Sequence, residues 1–372
     1  MKIQKASVTR TVSELRQSMR KRLNRIRDTP KKYLAGDLHL TKTPEHLLSN
    51  AELNTGFVRI DTMDERAYRN SVFLDASRPG NFHSTMGGLW TVDIRELPGL
   101  ADSIEGLSSP LPHIISHPGY CGSTLMANML EALSPFFVYR EPVVWARLSD
   151  LMFEPRYANR YPEQQFRDIY RSALRLFSRT WEPQQQAIIK SIPAATGIDL
   201  HAHEFDPGIR CIYLRPRLES YLAAVLKYGT SRVKWIEAHL NIEWLWQNSG
   251  LEGLRTELDS LPSHLKTALY WKLHTGTVKR HEKSHSSGMM TIASDDFFRD
   301  KKATLIRVAA HFGCSIEDEE LLQLLQSNVL RRHSKQSSRR YDDSDRLREE
   351  AEILSNRKGD IAEAESWLLS LE

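Results

Sequence analysis

From Pro112 onward, short apolar runs alternate with longer stretches whose apolar residues recur every three or four positions. The runs are His113 to Ser116, Phe136 to Tyr139, Ala187 to Lys190, Cys211 to Leu214 and Met289 to Ala293. Each has the length of a strand, and within most of them apolar residues are continuous rather than alternating, as a strand covered on both faces requires. Between the runs, Thr124 to Leu133 is amphipathic. Leu218, Tyr221, Leu222, Val225 and Leu226 fall on one helical stripe, and Leu305, Val308, Ala309 and Phe312 on another. Both stripes read as core. Gly229 and Gly313 stand where helix C-caps are expected. The alternation predicts an α/β fold: a parallel sheet flanked by helices on both faces, ending in a helical C-terminus.

The pattern is different before Pro112. Residues 33–110 mix short apolar pieces with turn formers and no sustained period, which predicts an N-terminal extension packed on a main domain of residues 111–372. Residues 1–32 carry 11 Lys and Arg against Glu14 and Asp28, so +9 of charge sits there while the whole chain of 372 residues nets only +4. The functional reading of such a basic arm is a helix that touches nucleic acid, an anionic membrane or an acidic partner; the plainer reading, a solvated helix, is preferred. Cys121, Cys211 and Cys314 are far apart with no CxxC pair. That argues against a zinc ribbon or disulfide framework and fits a reducing, cytoplasmic setting. No apolar run has the length of a membrane span, and no internal repeat is evident.

Chemistry concentrates first in His117-Pro118-Gly119-Tyr120-Cys121-Gly122-Ser123-Thr124-Leu125. A strand, a Gly-bearing turn and a helix start make an anion site, because unpaired amides and the helix dipole point at one place. The turn is not an ATPase loop: in the Walker A register His117 takes the place of the first Gly and Ser123 that of the Lys. Without that Lys a triphosphate is poorly served. The turn better suits a single phosphate cradled by amides and hydroxyls.

These residues resemble the loop of the P-loop sulfotransferases, Pro-Lys/Arg-Ser-Gly-Thr-Thr followed by an apolar helix, and in particular a His-x-x-Phe/Tyr-Cys-Gly/Cys-Ser-Thr-Leu loop of bacterial sulfotransferase-like proteins. The resemblance implies that Gly122, Ser123 and Thr124 hold the 5′-phosphosulfate end of the co-substrate 3′-phosphoadenosine 5′-phosphosulfate (PAPS). Cys121 takes the small-residue place, and Tyr120 stands where a basic residue is usual. It extends by order of segments from Pro112 to Arg346.

Lys190 ends an apolar run, at the strand edge where open α/β sheets bind ligands. By the resemblance, such a Lys helps hold the sulfuryl group in transit, and Ile192 replaces the catalytic His of one branch. Glu141, in Arg140-Glu141-Pro142 after the second run, is the candidate general base, with His117 the second candidate; an Arg140–Glu141 surface pair is the plainer alternative. In Leu214-Arg215-Pro216-Arg217, guanidinium forks suit a phosphate monoester. The resemblance assigns Arg215, Arg217 and Ser220 to the 3′-phosphate, although the usual Asp is missing and Ser220 comes early. The late basic residues Arg331 and Lys335 resemble a segment that closes over the nucleotide, against the alternative of a solvated linker.

His201 and His203 lack a ligand set at metal spacing, and no metal is expected. Trp235, Trp244 and Trp246 read as core before pocket. The expectation is a PAPS-dependent sulfotransferase acting on a hydroxyl or amine of a small-molecule or glycan acceptor. The alternatives are a nucleotide-binding protein without catalysis and a P-loop kinase or other phosphotransferase.

Overall fold

The computed structural model describes residues 110–153, 161–178, 180, 184–227, 229–284, 288–333 and 336–371, with short pieces at 54–55, 92–93, 98 and 101–102. The basic arm lies outside the described residues, as does nearly all of the extension.

Five strands make one parallel sheet: β1 (His113–Ser116), β2 (Phe136–Arg140), β3 (Gln186–Lys190), β4 (Cys211–Arg215) and β5 (Met289–Ala293). Their order is β2-β3-β1-β4-β5. All five apolar runs are strands. Helices flank the sheet: α1 (Ser123–Glu131), α2 (Val143–Phe153), α3 (Glu163–Phe177), α4 (Thr196–Phe205), α5 (Leu218–Leu226), α6 (Thr230–His239), α7 (Glu243–Trp246), α8 (Ser263–Ser284), α9 (Ser294–Arg299), α10 (Lys301–His311) and α11 (Asp318–Gln326). After them come a small antiparallel pair, β6 (Arg332–His333) with β7 (Gln336–Arg340), and two last helices, α12 (Asp343–Asn356) and α13 (Lys358–Ser370).

Two compact units divide the chain. In the first, β2 and β3 pair in register from Phe136–Gln186 to Arg140–Lys190. Phe136, Phe137, Val138 and Tyr139 are buried, and so are Ala187, Ile188 and Ile189. Trp145 and Tyr170 join Phe177 and Tyr139 in an aromatic layer with ring centroids 5.1 to 5.7 Å apart. Continuous apolar strands are thus matched by aromatic helix faces, each buried ring contributing about 2 kcal/mol or more of transfer free energy.

The second unit holds β1, β4 and β5 and the helices from α4 onward. Gly197 lets α4 approach Trp244 and Phe153: a Cβ there would lie 2.6 Å from Trp244 Cγ. Leu222, Leu265, Ala268, Ile361, Ala364 and Leu368 form one apolar seam where α5, α8 and α13 meet. Gly313, at φ +75°, ends α10 as a left-handed C′ residue, its N–H bonding Ala310 O and that of Cys314 bonding Ala309 O, which is a Schellman ending. Gly229 differs from its expected role. It is left-handed (φ +62°), but α5 caps at Lys227 and Gly229 instead precedes α6 as its N-cap residue. The stripe of Leu305, Val308 and Ala309 lies on α10, whose start is fixed where Asp300 accepts from Ala303 N.

The strand order sets a topological switch: the chain leaves β1 toward β2 on one side and leaves β4 toward β5 on the other. A crevice opens where neighbouring strands send their connections apart, so the ends of β1 and β4 are the expected ligand edge.

Candidate functional site

The turn after β1 is shaped by three left-handed residues, Gly119 (φ +92°), Tyr120 (φ +53°) and Gly122 (φ +88°). Gly122 is the N-cap of α1 and has no side chain to cap with, so the first-turn amides of Ser123 and Thr124 stay open to an anion. A Cβ on Gly122 would sit 2.6 Å from Phe298 Cζ. Glycine is therefore required twice over, for the turn and for the ring against it. His117 is buried, and its Nδ1 accepts the Gly119 N–H at 2.9 Å. That nitrogen serves the turn itself.

Tyr120 and Cys121 are directed into the protein. Cys121 is buried. The Tyr120 ring meets Trp235 and Tyr221 edge-on at 5.5 and 6.2 Å, and the Arg232 guanidinium lies 4.4 Å from its centroid. Arg232 also donates to Ala224 O. A turn with no Lys or Arg of its own thus has a cation held on its aromatic residue from α6. Tyr221 donates to Pro118 O at 3.2 Å, and Tyr213 OH bonds His274 Nδ1 at 2.9 Å. Burial pushes the Tyr213, Tyr221 and Tyr270 hydroxyls well above the ordinary phenol range. It also lowers His239 to about 4 and His274 to about 3, keeping both imidazoles neutral near pH 7.

At the end of β4, Arg215 is exposed. Arg217 forms an ion pair with Asp295 and comes within 3.5 Å of Ser220 Oγ. Ser220 Oγ donates to Glu350 at 2.5 Å, and Glu350 accepts from Arg346 Nη1 at 2.9 Å. Arg346 stacks on Phe298 with its guanidinium carbon 4.0 Å from the ring centroid, and its Nε is buried without a partner. A chain of neighbours therefore runs from Gly122 through Phe298, Arg346 and Glu350 to Ser220. Helix α12 presents Arg346 and Glu350 on one face, four residues apart. Its start is fixed by a capping box between Asp342 and Asp345.

In the first unit, Lys190 and Glu141 form an ion pair. Lys190 is fully buried, and Glu141 is left-handed (φ +50°) with its N–H on Lys190 O at 2.7 Å. A non-glycine residue at positive φ is strained, and such strain gathers at functional positions.

No family model matches the chain, and no curated protein matches its sequence. Among solved structures it is similar to a sulfotransferase domain from the curacin biosynthetic pathway, at 13% identity and TM-score 0.38, covering 67% of this chain and 99% of that one. It is also similar to the sulfotransferase domain of an olefin synthase from Synechococcus PCC 7002, at 14% identity and TM-score 0.35, covering 66% and 95%. A third is a mouse sulfotransferase complexed with PAP, at 14% identity and TM-score 0.31, covering 66% and 74%. All three are sulfotransferase structures. At such identities the assignment of function falls to the residues themselves.

Two groups of expected site residues are brought together. Lys190 meets Glu141 in the first unit, and in the second Arg217 adjoins Ser220. Both residues of that second pair are held by carboxylates, Asp295 and Glu350. Arg331 ends a short 3-10 turn, Asn328–Arg331, and Lys335 lies outside the described residues. The basic run around them forms the β6–β7 pair. His201 bonds Glu204 at 2.9 Å, and no group of three or more metal-ligating side chains occurs among the described residues. Trp244 and Trp246 are core, whereas Trp235 is half-buried against Gly119. No described helix is long and apolar enough to cross a membrane.

Sequence reading missed Arg232, Arg346 and Glu350. The four-residue spacing of Arg346 and Glu350 on a helix was visible as a signal, but nothing local marked Arg232.

Proposed function

We propose that the protein is a sulfotransferase that takes its sulfuryl group from PAPS. The observation that carries this reading is the turn at Gly122. A buried strand runs into a left-handed glycine and then into helix amides with no cap, in a turn that lacks the Lys of a triphosphate loop. The residues fit a phosphate group at the 5′ end, since the N-cap Gly122 has no side chain to occupy the first-turn amides of the helix. Arg215, exposed at the end of β4, fits the 3′-phosphate.

PAPS supplies an activated sulfuryl group bonded to a phosphate leaving group. In this reading, the amides of Ser123 and Thr124 orient that phosphate. The resemblance of the sequence gives Lys190 the part of neutralising charge on the transferring group and Glu141 that of taking the proton of the attacking hydroxyl or amine. The acceptor is a small molecule or a glycan.

Calorimetry with adenosine 3′,5′-bisphosphate, run beside ATP with Mg²⁺, tests the proposal. Tighter binding of the bisphosphate is expected; preference for ATP with Mg²⁺ would replace the reading with a phosphotransferase. Binding of the bisphosphate with no sulfuryl transfer across a broad acceptor panel would leave a nucleotide-binding protein.

A further inference from the structure

The contact between Ser220 and Glu350 is chemically odd for a phosphate subsite. Ser220 Oγ gives its one proton to a carboxylate oxygen at 2.5 Å, so the hydroxyl is already engaged by an anion. The carboxylate is not a free surface charge. Its side chain is 15% exposed, Arg346 holds its other oxygen, and Arg346 is itself stacked on the ring that covers Gly122. The neighbouring Glu349 ties α12 to α5 by an ion pair with Lys227, so the helix that carries Glu350 is anchored where it lies. On the other side of Ser220, Arg217 is paired with Asp295.

We propose that Glu350 is a specificity-determining charge gate of the nucleotide site: its carboxylate competes with a phosphate monoester for Ser220. The inference rests on the nucleotide reading above and deepens it. A carboxylate beside Ser220 repels the dianion of a 3′-phosphate, while it accepts a hydrogen bond from a ribose hydroxyl as readily as from the serine. The gate therefore narrows the preference for the doubly phosphorylated nucleotide over its 5′-monophosphate counterpart. It also keeps a bisphosphate product from binding too firmly to leave. Arg346 provides the fixed point, because it can retain Glu350 when a ligand phosphate takes over the serine hydroxyl.

The test uses the full chain and three proteins: wild type, Glu350→Gln and Glu350→Asp. Affinities for adenosine 3′,5′-bisphosphate and for adenosine 5′-monophosphate are measured by calorimetry at one ionic strength. Gln keeps the shape and the hydrogen bond but removes the charge, so bisphosphate affinity should rise about tenfold. Monophosphate affinity should change by less than about twofold, because a 5′-phosphate is not at Ser220. Asp keeps the charge and should preserve the wild-type ratio of the two affinities. The proposal is overturned if Gln leaves that ratio unchanged or lowers it, the outcome of a purely structural Glu350. Loss of both affinities in step points to α12 packing and overturns it equally. Wild-type protein that binds neither nucleotide removes the site reading and the gate together, whereas wild-type binding with an unresponsive residue 350 removes the gate alone.

Discussion

Lys190 and Glu141, 49 residues apart in sequence, close an ion pair at the ends of two neighbouring parallel strands. The ammonium is fully buried, so neither charge is cheaply left alone. Removing one partner of a buried pair typically costs about 3–5 kcal/mol, more than the pair itself contributes.

For that reason Glu141→Ala and Lys190→Met should each lower stability by about 3 kcal/mol, and the double variant should lose clearly less than the sum. Urea denaturation of all four members of the cycle checks this. The catalytic role is separable: Glu141→Gln should cut turnover by roughly 10²-fold or more while bisphosphate affinity stays near wild type. Intact turnover in a folded Glu141→Gln protein would dismiss Glu141 as the base.

Gly122→Ala meets two obstacles, the left-handed backbone and the Phe298 ring 2.6 Å from the new Cβ. The backbone alone costs about 1 kcal/mol for alanine. The expected result is bisphosphate affinity weakened at least about tenfold, with a lower melting temperature. Calorimetry and thermal melting read the two effects.

His239 and His274 make stability depend on pH. Folded, they protonate only near 4 and 3, while the ordinary imidazole value is 6.5. Between those values the unfolded chain binds the extra protons, so stability rises with pH there. It is whole above about pH 6.5, drains as pH falls toward 4, and stops changing from this cause below about 3. A set of urea midpoints from pH 7.5 to 4.5 should show the fall. His274→Gln should show a shallower one, and an identical slope in that variant would count against the assignment.

Gly197→Ala places a methyl 2.6 Å from Trp244 Cγ and 2.9 Å from Phe153 Cε2. Both are large side chains in a packed layer, so overpacking should cost about 1–3 kcal/mol. Chemical denaturation would show this as a lower midpoint with an unchanged slope. No loss of stability would mean that α4 can move away from Trp244.

The legible part of this protein is the part that local physics writes. Short, mainly apolar runs name the five strands, because a strand covered on both faces favours continuous apolar residues. Gly119 and Gly122 name the turn because few other residues accept its backbone. Gly229 was placed at the wrong helix end because a left-handed glycine serves a helix stop and the next helix start alike.

Pairings at long range were written nowhere in the pattern. Arg232 reaches Tyr120 only because α6 packs on the turn, and Glu350 reaches Ser220 across 130 residues only because α12 lies on α5. The sequence by itself determined the strands and the turn, since each depends on neighbours within a few residues; the candidate phosphate-binding and catalytic side chains rest on a resemblance of motifs. Tertiary structure alone decided which charges meet across long stretches of chain, as Lys190 meets Glu141 and Lys227 meets Glu349, because electrostatic partners far apart in sequence are chosen by distance in space.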